Sequence, residues 1–251
     1  MHSSDPFHGK ASVYSRFRPN YPQTMIHDLI RHNKLEESSL VADIGAGTGI
    51  LTGQLLQAGL RVAAIEPNDD MRRIAEAAFS ANPHFTAIAA SAEQTSLGSG
   101  SVDFITVAQA FHWFNPEYFR NEARRILKPG GNVALIWNSR LPDAALIRES
   151  ETICRQFCPD FRGFSGGTGS DPAVFHSFFK NGQYRLHVYD HPLAYNREQF
   201  IGRHLSASYA PRAADGNYRP FVKALTQLFD KYEQNGRVIF PNVTRCYCGK
   251  V

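Results

Sequence analysis

The chain is short of cysteine, of long apolar runs and of charge of one sign, and each shortage removes a class of protein. Four cysteines in 251 residues are too few for a disulfide-stapled scaffold. Their spacing is also wrong for zinc, because Cys154 and Cys158 stand four apart, Cys246 and Cys248 two apart, and neither pair is C-x-x-C. They read as packing residues in a reducing compartment, and no metal is expected. No run of about 18 apolar residues occurs, so no membrane-spanning helix is expected. Met1 to Lys10 is polar, without the apolar stretch of roughly 7–15 residues that marks a secretory leader, and the expected location is the cytoplasm.

Charge is equally sparing. Twenty-seven basic against 23 acidic residues leave +4, with no block beyond pairs such as Arg72-Arg73 and Arg124-Arg125. A nucleic-acid groove would want a concentrated basic stripe. A few placed arginines suit an acidic small molecule better. The expected partner is therefore a small-molecule substrate, with no nucleic acid and no membrane, bound by a monomer or homodimer.

What the chain does contain is rhythm. Short β-branched runs at Leu40–Ile44, Arg61–Glu66, Phe85–Ala89, Val102–Val107 and Asn132–Trp137 alternate with helical patterns at Thr48–Ala58, Asp69–Ser80 and Pro116–Leu127. Lys128-Pro129-Gly130-Gly131 is expected to stop the last helix. This alternation predicts βαβ units and a doubly wound parallel sheet of the α/β class. The nearly continuous apolar strands predict burial on both faces. Outside this core, residues 1–21 are aromatic and basic, and a helix is expected near Gln23–Lys34. Ser165 to Ser170 reads as an open Gly/Ser loop. Tyr184–Tyr189 and Val238–Gly249 alternate like strands, and helical patterns near Glu198–Tyr209 and Tyr218–Asn235 carry many aromatics.

The informative stretch is Asp43-Ile44-Gly45-Ala46-Gly47-Thr48-Gly49, a strand followed by glycines and a helix. Gly45 suits a tight turn, Gly47 lets a ligand approach the backbone, and Gly49 lets the helix pack against the strand. Glu66 follows about 20 residues on, at the end of the second strand, where an acid suits ribose hydroxyls. The glycines run G-x-G-x-G, with Ile50 where the dinucleotide fingerprint has its third glycine. A carboxylate at Asp43 would face a pyrophosphate unfavourably, yet it suits organising the loop or holding an amino group. The ligand expected is one with ribose and ammonium but no phosphate.

Asp43 to Gly49, Glu66-Pro67-Asn68, Ala92-Glu93 and Leu127 to Gly131 together resemble the class I S-adenosylmethionine-dependent methyltransferases, small-molecule branch, including trans-aconitate and ubiquinone-type enzymes. The resemblance covers about Tyr14 to Asn138. It implies a Rossmann-like seven-stranded sheet whose last strand, Thr244–Gly249, runs antiparallel. It also implies a single domain over 1–251, with a core at about 36–139, 171–191 and 236–251 and a cap at about 1–21, 140–170 and 192–235. S-adenosyl-L-methionine would lie against Gly45, Ala46, Gly47 and Gly49, near Asp43. Glu66 and Pro67 would hold the ribose, Ala92 and Glu93 would flank the adenine, and Val107, Ala108 and Gln109 would form the floor. Tyr14 and Arg18 would close over the cofactor from the N-terminal segment.

Other candidates are weaker. His112, in Ala110-Phe111-His112-Trp113-Phe114 after the fourth strand, is a candidate substrate contact or base. A histidine beside packing aromatics serves equally well as structure. Arg18 is a clamp for a carboxylate or a solvated charge. Tyr209 and Arg212 line an acceptor pocket or cap a helix. No paired-acid or nucleophile–base motif is present, which suits methyl transfer, especially to a carboxylic acid that needs no deprotonating base. A nicotinamide-dependent oxidoreductase is the alternative, disfavoured by the glycine spacing and Asp43. A non-catalytic S-adenosylmethionine-binding protein is the third reading.

Overall fold

The structure is a computed structural model that describes residues 17–164 and 172–251. In chain order its elements are α1 (Gln23–Asn33), β1 (Leu40–Ile44), α2 (Ile50–Gln57), β2 (Arg61–Ile65), α3 (Asp69–Phe79), β3 (Phe85–Ile88), β4 (Val102–Ala108), α4 (Pro116–Ile126) and β5 (Leu127–Arg140). They continue with α5 (Ala145–Phe157), α6 (Pro172–Phe178), β6 (Arg185–Asp190), β7 (Leu193–Tyr195), α7 (Arg197–Leu205), α8 (Tyr218–Tyr232), β8 (Val238–Phe240) and β9 (Asn242–Gly249). Two compact units emerge. A core unit holds 20–138, 172–189 and 244–251, and a second unit holds 17–19, 139–164 and 190–243.

The main sheet has the order β3-β2-β1-β4-β5-β9-β6, with the last strand antiparallel. β1 pairs in parallel with β2 and β4, β2 with β3, and β4 with β5. The chain therefore leaves β1 in one direction and returns through β4 on the other side. Such a reversal makes the carboxyl ends of β1 and β4 the place where doubly wound sheets bind ligands. Successive strand residues serve opposite faces, as strand geometry requires. Ala42 and Ile44 pack with Val107, Phe119, Val133 and Trp137 on one side. Val41, Phe104 and Ile136 pack with Met25, Ile26, Leu51 and Leu55 on the other. Each large side chain buried this way contributes about 1.5–3 kcal/mol.

Helix starts follow their local chemistry. Asn68 accepts from the amide of Met71 to cap α3, and Asn115 accepts from Glu117 and Tyr118 to cap α4, with Pro116 in the first turn. Two sequence boundaries need correction. Lys128 to Gly131 does end α4, but strand pairing already begins at Leu127 opposite Val102 and resumes at Asn132 opposite Phe104. The Pro-Gly-Gly segment is thus an irregularity inside β5 instead of a loop before it. The single alternating strand expected over Val238–Gly249 is two strands, because Pro241 has no N–H to continue a ladder. β8 pairs instead with β7, antiparallel, in a separate hairpin. Residues 236–243, read from sequence as core, consequently belong to the second unit.

The second unit has its own core of Leu146, Ile147, Phe200, Phe221, Leu225, Phe229 and Phe240. Phe221, Leu225 and Phe229 recur at helical spacing on α8, and α7 opens with a reciprocal capping box between Asn196 and Gln199. Among the described residues no helix is long and apolar enough to cross a membrane.

Candidate functional site

The glycine turn follows β1 directly. Gly45, Gly47 and Gly49 all have positive φ, +68°, +59° and +82°, a region costly for residues with a Cβ. Their surroundings separate their roles. A Cβ on Gly45 would come within 2.6 Å of Ala110 Cβ, so this glycine allows the turn after β1 to meet the residues after β4. A Cβ on Gly49 would lie 2.8 Å from the Phe79 ring and 3.2 Å from Ala75, so this glycine is needed for packing against α3. Among the described residues a Cβ on Gly47 would meet only Met71 Sδ, at 3.7 Å. The described residues thus leave the space beside Gly47 open, as a backbone approached by a ligand requires.

Glu66 closes the other side of the turn. It is 7% exposed, its Oε2 accepts from the Gly47 amide at 2.8 Å and its Oε1 from the Asn68 amide at 2.8 Å. A carboxylate has about four acceptor sites, and these amides take two of them. The turn is further anchored by the amides of Gly45 and Ala46, which both donate to the Ile65 carbonyl, at 2.8 and 3.1 Å. Pro67 is exposed beside Glu66.

Asp43 turns inward. It is 1% exposed, and its two oxygens accept hydroxyls from Thr52 at 2.6 Å and Thr106 at 2.8 Å. One carboxylate thereby ties β1 to α2 and β4. Burial pushes its pKa up to about 6, against the lowering effect of the two hydroxyls. Of the two roles the sequence allowed, this geometry serves organisation of the loop.

The remaining floor comes from the ends of β3 and β4. Ala92 is buried, and the Glu93 carboxylate accepts from the Asn115 amide at 2.9 Å, joining this segment to the start of α4. Ala108 ends β4. Gln109 has a left-handed φ of +58°, donates its amide to the Ile136 carbonyl at 2.9 Å, and reaches the Asn138 carbonyl through Nε2 at 3.3 Å. Asn138 in turn accepts from the Thr244 hydroxyl at 2.6 Å. His112 is exposed on a single 3-10 turn, Phe111–Trp113, with its ring 4.8 Å from that of Trp113. The core unit thus brings Asp43, the glycine turn, Glu66, Ala92, Glu93, Ala108, Gln109 and His112 onto one fold unit.

The other two expected cofactor residues are not among the core unit's described residues. Tyr14 lies outside the described residues. Arg18 belongs to the second unit, where its Nη2 donates to the Ser206 carbonyl at 3.2 Å. Of the acceptor candidates, the ring of Tyr209 packs 4.8 Å from that of Phe161, and the Arg212 amide donates to Asp215. Sequence reasoning missed Thr52 and Thr106. Their signal was available in principle, since a hydroxyl one helical turn past a glycine loop is well placed to meet a strand-end acid.

The residues present suit an adenosyl ligand. They offer a glycine that the described residues leave uncrowded, a buried acid after β2, and a polar floor after β4. Residues 42–135 match the family model described as a methyltransferase domain. An uncharacterized methyltransferase of Mycobacterium tuberculosis is 38% identical over 143 residues, 57% of this chain and 56% of its own length. An uncharacterized methyltransferase-like protein of Schizosaccharomyces pombe is 29% identical over 168 residues, 66% of this chain and 64% of its own. The match thus spans little more than half the length of these relatives. Among solved structures, a provisionally assigned methyltransferase from an antibiotic biosynthesis pathway of Anabaena variabilis has a TM-score of 0.63 at 19% identity, covering 89% of this chain and 96% of that one. A SAM-dependent methyltransferase from Aquifex aeolicus gives 0.53 at 18% identity, covering 75% and 93%. At such identities the structures speak for the fold alone. Residues 42–135 are thus similar to a methyltransferase domain, and the sheet built around them has the fold shared by the solved methyltransferases.

Proposed function

We propose that the protein binds S-adenosyl-L-methionine at the carboxyl ends of β1, β2 and β4 and transfers its methyl group to a small-molecule acceptor, a carboxylic acid. When bound, the cofactor supplies a sulfonium whose methyl carbon an acceptor oxygen attacks in line, as the carbon–sulfur bond breaks and its electron pair stays on sulfur. The chain's residues position. Gly47 opens the backbone to the ligand, Glu66 offers acceptor oxygens for ribose hydroxyls, and Asp43 holds the turn rigid through Thr52 and Thr106. Orientation of this kind contributes roughly 7–11 kcal/mol to a bimolecular step.

The observation that carries this reading is Glu66, buried and bonded to the one glycine of the turn with open space beside it. The acidic acceptor is supported by what such an acceptor does not require. A carboxylate is already ionised at neutral pH and needs no base, and His112, the histidine that follows β4, is exposed. Calorimetry with S-adenosylhomocysteine, followed by transfer of a labelled methyl group to a panel of carboxylic acids, phenols and amines, tests both halves. Label appearing only on phenols or amines would refute the acidic acceptor.

A further inference from the structure

The second unit contains a concentration of buried cationic and polar atoms that the cofactor site does not use. Arg203 is 6% exposed, and neither its Nε nor its Nη1 has a hydrogen-bond partner among the described residues. Arg140, the last residue of β5, has a buried Nε in the same condition. The Tyr195 hydroxyl and His204 Nε2 are also buried and unsatisfied. Three of these groups, Arg140, Tyr195 and His204, gather round one ring. Measured to Phe240, the Arg140 guanidinium lies at 5.8 Å, the Tyr195 ring at 5.9 Å and the His204 ring at 6.0 Å. Arg140 also lies 4.0 Å over the Phe164 ring.

Arg140 feels the charge of Arg203, and no carboxylate among the described residues pairs with either. Burial, then the positive charge of Arg203, holds the Arg140 pKa down to about 10, and Arg18 adds to the effect. His204 is held neutral, near 3, by burial and by Arg140 and Arg203. No carboxylate of the described residues forms an ion pair with Arg140 or Arg203; Glu149 and Glu151 of α5 and Asp230 of α8 pair with Lys231, Arg155 and Arg197. Folded proteins leave few buried polar groups unpaired, and buried charges are paired or neutralised. Two like charges together, each with a buried N–H left unsatisfied and no carboxylate partner, are the inverse of what folding alone selects.

We propose that Arg140 and Arg203 bind the carboxylate of an organic acid, with the Tyr195 hydroxyl as a neutral donor and the Phe164 and Phe240 rings against the acid's apolar body. Guanidinium forks match a carboxylate's two oxygens, which is why arginine outnumbers lysine at such sites. The aromatic rings decide between anions. Inorganic phosphate would satisfy the charges but leave the rings against a fully hydrated ion, whereas an organic acid satisfies both. The proposal rests on the acidic-acceptor reading above and deepens it, by naming the residues that select the acid.

Titration calorimetry on the full chain tests it, using phenylacetate, succinate and inorganic phosphate as probes, with S-adenosylhomocysteine titrated in parallel. An organic acid should bind saturably and more tightly than phosphate. Arg203→Gln and Arg140→Gln should each weaken it at least tenfold, Arg203→Lys less, and none should alter S-adenosylhomocysteine affinity. Retained S-adenosylhomocysteine binding and melting temperature show that a variant is folded, and Arg140→Gln stands in if Arg203→Gln is not. If S-adenosylhomocysteine binds but no organic acid does, or if both arginine variants bind the acid as wild type does, the arginine site is refuted and the methyltransferase reading survives. Phosphate binding more tightly than either acid overturns the carboxylate assignment. Acid bound through the arginines without acquiring a base-labile methyl label keeps the site and refutes the acidic acceptor.

Discussion

Glu66 Oε2 accepts the Gly47 amide at 2.8 Å, across 19 positions of sequence. The bond fastens the acid after β2 to Gly47 after β1, so one side chain shapes the turn and, on the proposed function, also faces the ligand. Glu66→Ala should therefore do two things. Loss of charge-assisted bonds worth roughly 1.5–3 kcal/mol each should weaken S-adenosylhomocysteine binding by about 10- to 100-fold. The amides of Gly47 and Asn68 also lose their acceptor, so the melting temperature should fall by a few degrees. Unchanged affinity by calorimetry would reduce Glu66 to a structural brace.

The glycines of the turn should part company under substitution. Gly49→Ala forces a Cβ into Phe79 and Ala75 at a positive φ, and it should destabilise by about 1–3 kcal/mol, the usual cost of overpacking. Gly47→Ala carries the φ penalty of about 1 kcal/mol without the clash, but intrudes on the ligand's side. Denaturant melts and cofactor titrations on the two variants should give opposite rankings, stability falling more in Gly49→Ala and affinity more in Gly47→Ala.

Asp43 makes a pH prediction with a definite sign. Its folded pKa, about 6, lies above the value near 3.9 of an unfolded aspartate. Between those values the folded state holds the proton and the unfolded state has lost it. Stability from this group is therefore full below about pH 4 and declines as pH rises to about 6. The total is on the order of 3 kcal/mol, at about 1.4 kcal/mol per pH unit. The Asp43→Asn variant cannot titrate at this position. The unfolding free energy of the wild type minus that of the variant should thus fall across about pH 4–6 and level off above it. A flat difference would mean that Asp43 is ionised in the fold throughout.

The buried arginines predict a stability gain. An unsatisfied buried charged group costs more than the 1–3 kcal/mol or so of a neutral one. Arg203→Met, with no acid added, should thus raise the melting temperature by several degrees. The control is Arg155→Met, which removes an exposed arginine paired with Glu151 at 2.6 Å and should shift it little. A fall for Arg203→Met would show that the guanidinium is already satisfied.

The core unit was legible in the sequence because its signals are local. The apolar runs of β1 to β5 and the glycines at 45, 47 and 49 each announce themselves within a few residues. Pro241 carried a local signal too, a missing N–H, but the alternation over Val238–Gly249 concealed it. The Pro129-Gly130-Gly131 segment misled for the opposite reason: a turn-like composition sits inside a paired strand, where a Cβ on Gly131 would lie 2.8 Å from Leu127 and 3.0 Å from the Asp103 carbonyl. Asp43 showed its position but not its orientation, since that depends on hydroxyls 9 and 63 residues away. The Arg140 and Arg203 pair was invisible. Sixty-three positions separate them, and a charge reads as solvated until burial is known.

On the proposed function, the turn from Gly45 to Gly49, with Glu66, takes the adenosyl cofactor of methyl transfer and no dinucleotide; the rest of that function depends on it. Isothermal titration of the full chain with S-adenosylhomocysteine and with NAD, side by side, tests it most directly. Saturable binding of S-adenosylhomocysteine with no heat from NAD is the predicted result. Tight binding of NAD with none of S-adenosylhomocysteine would contradict it.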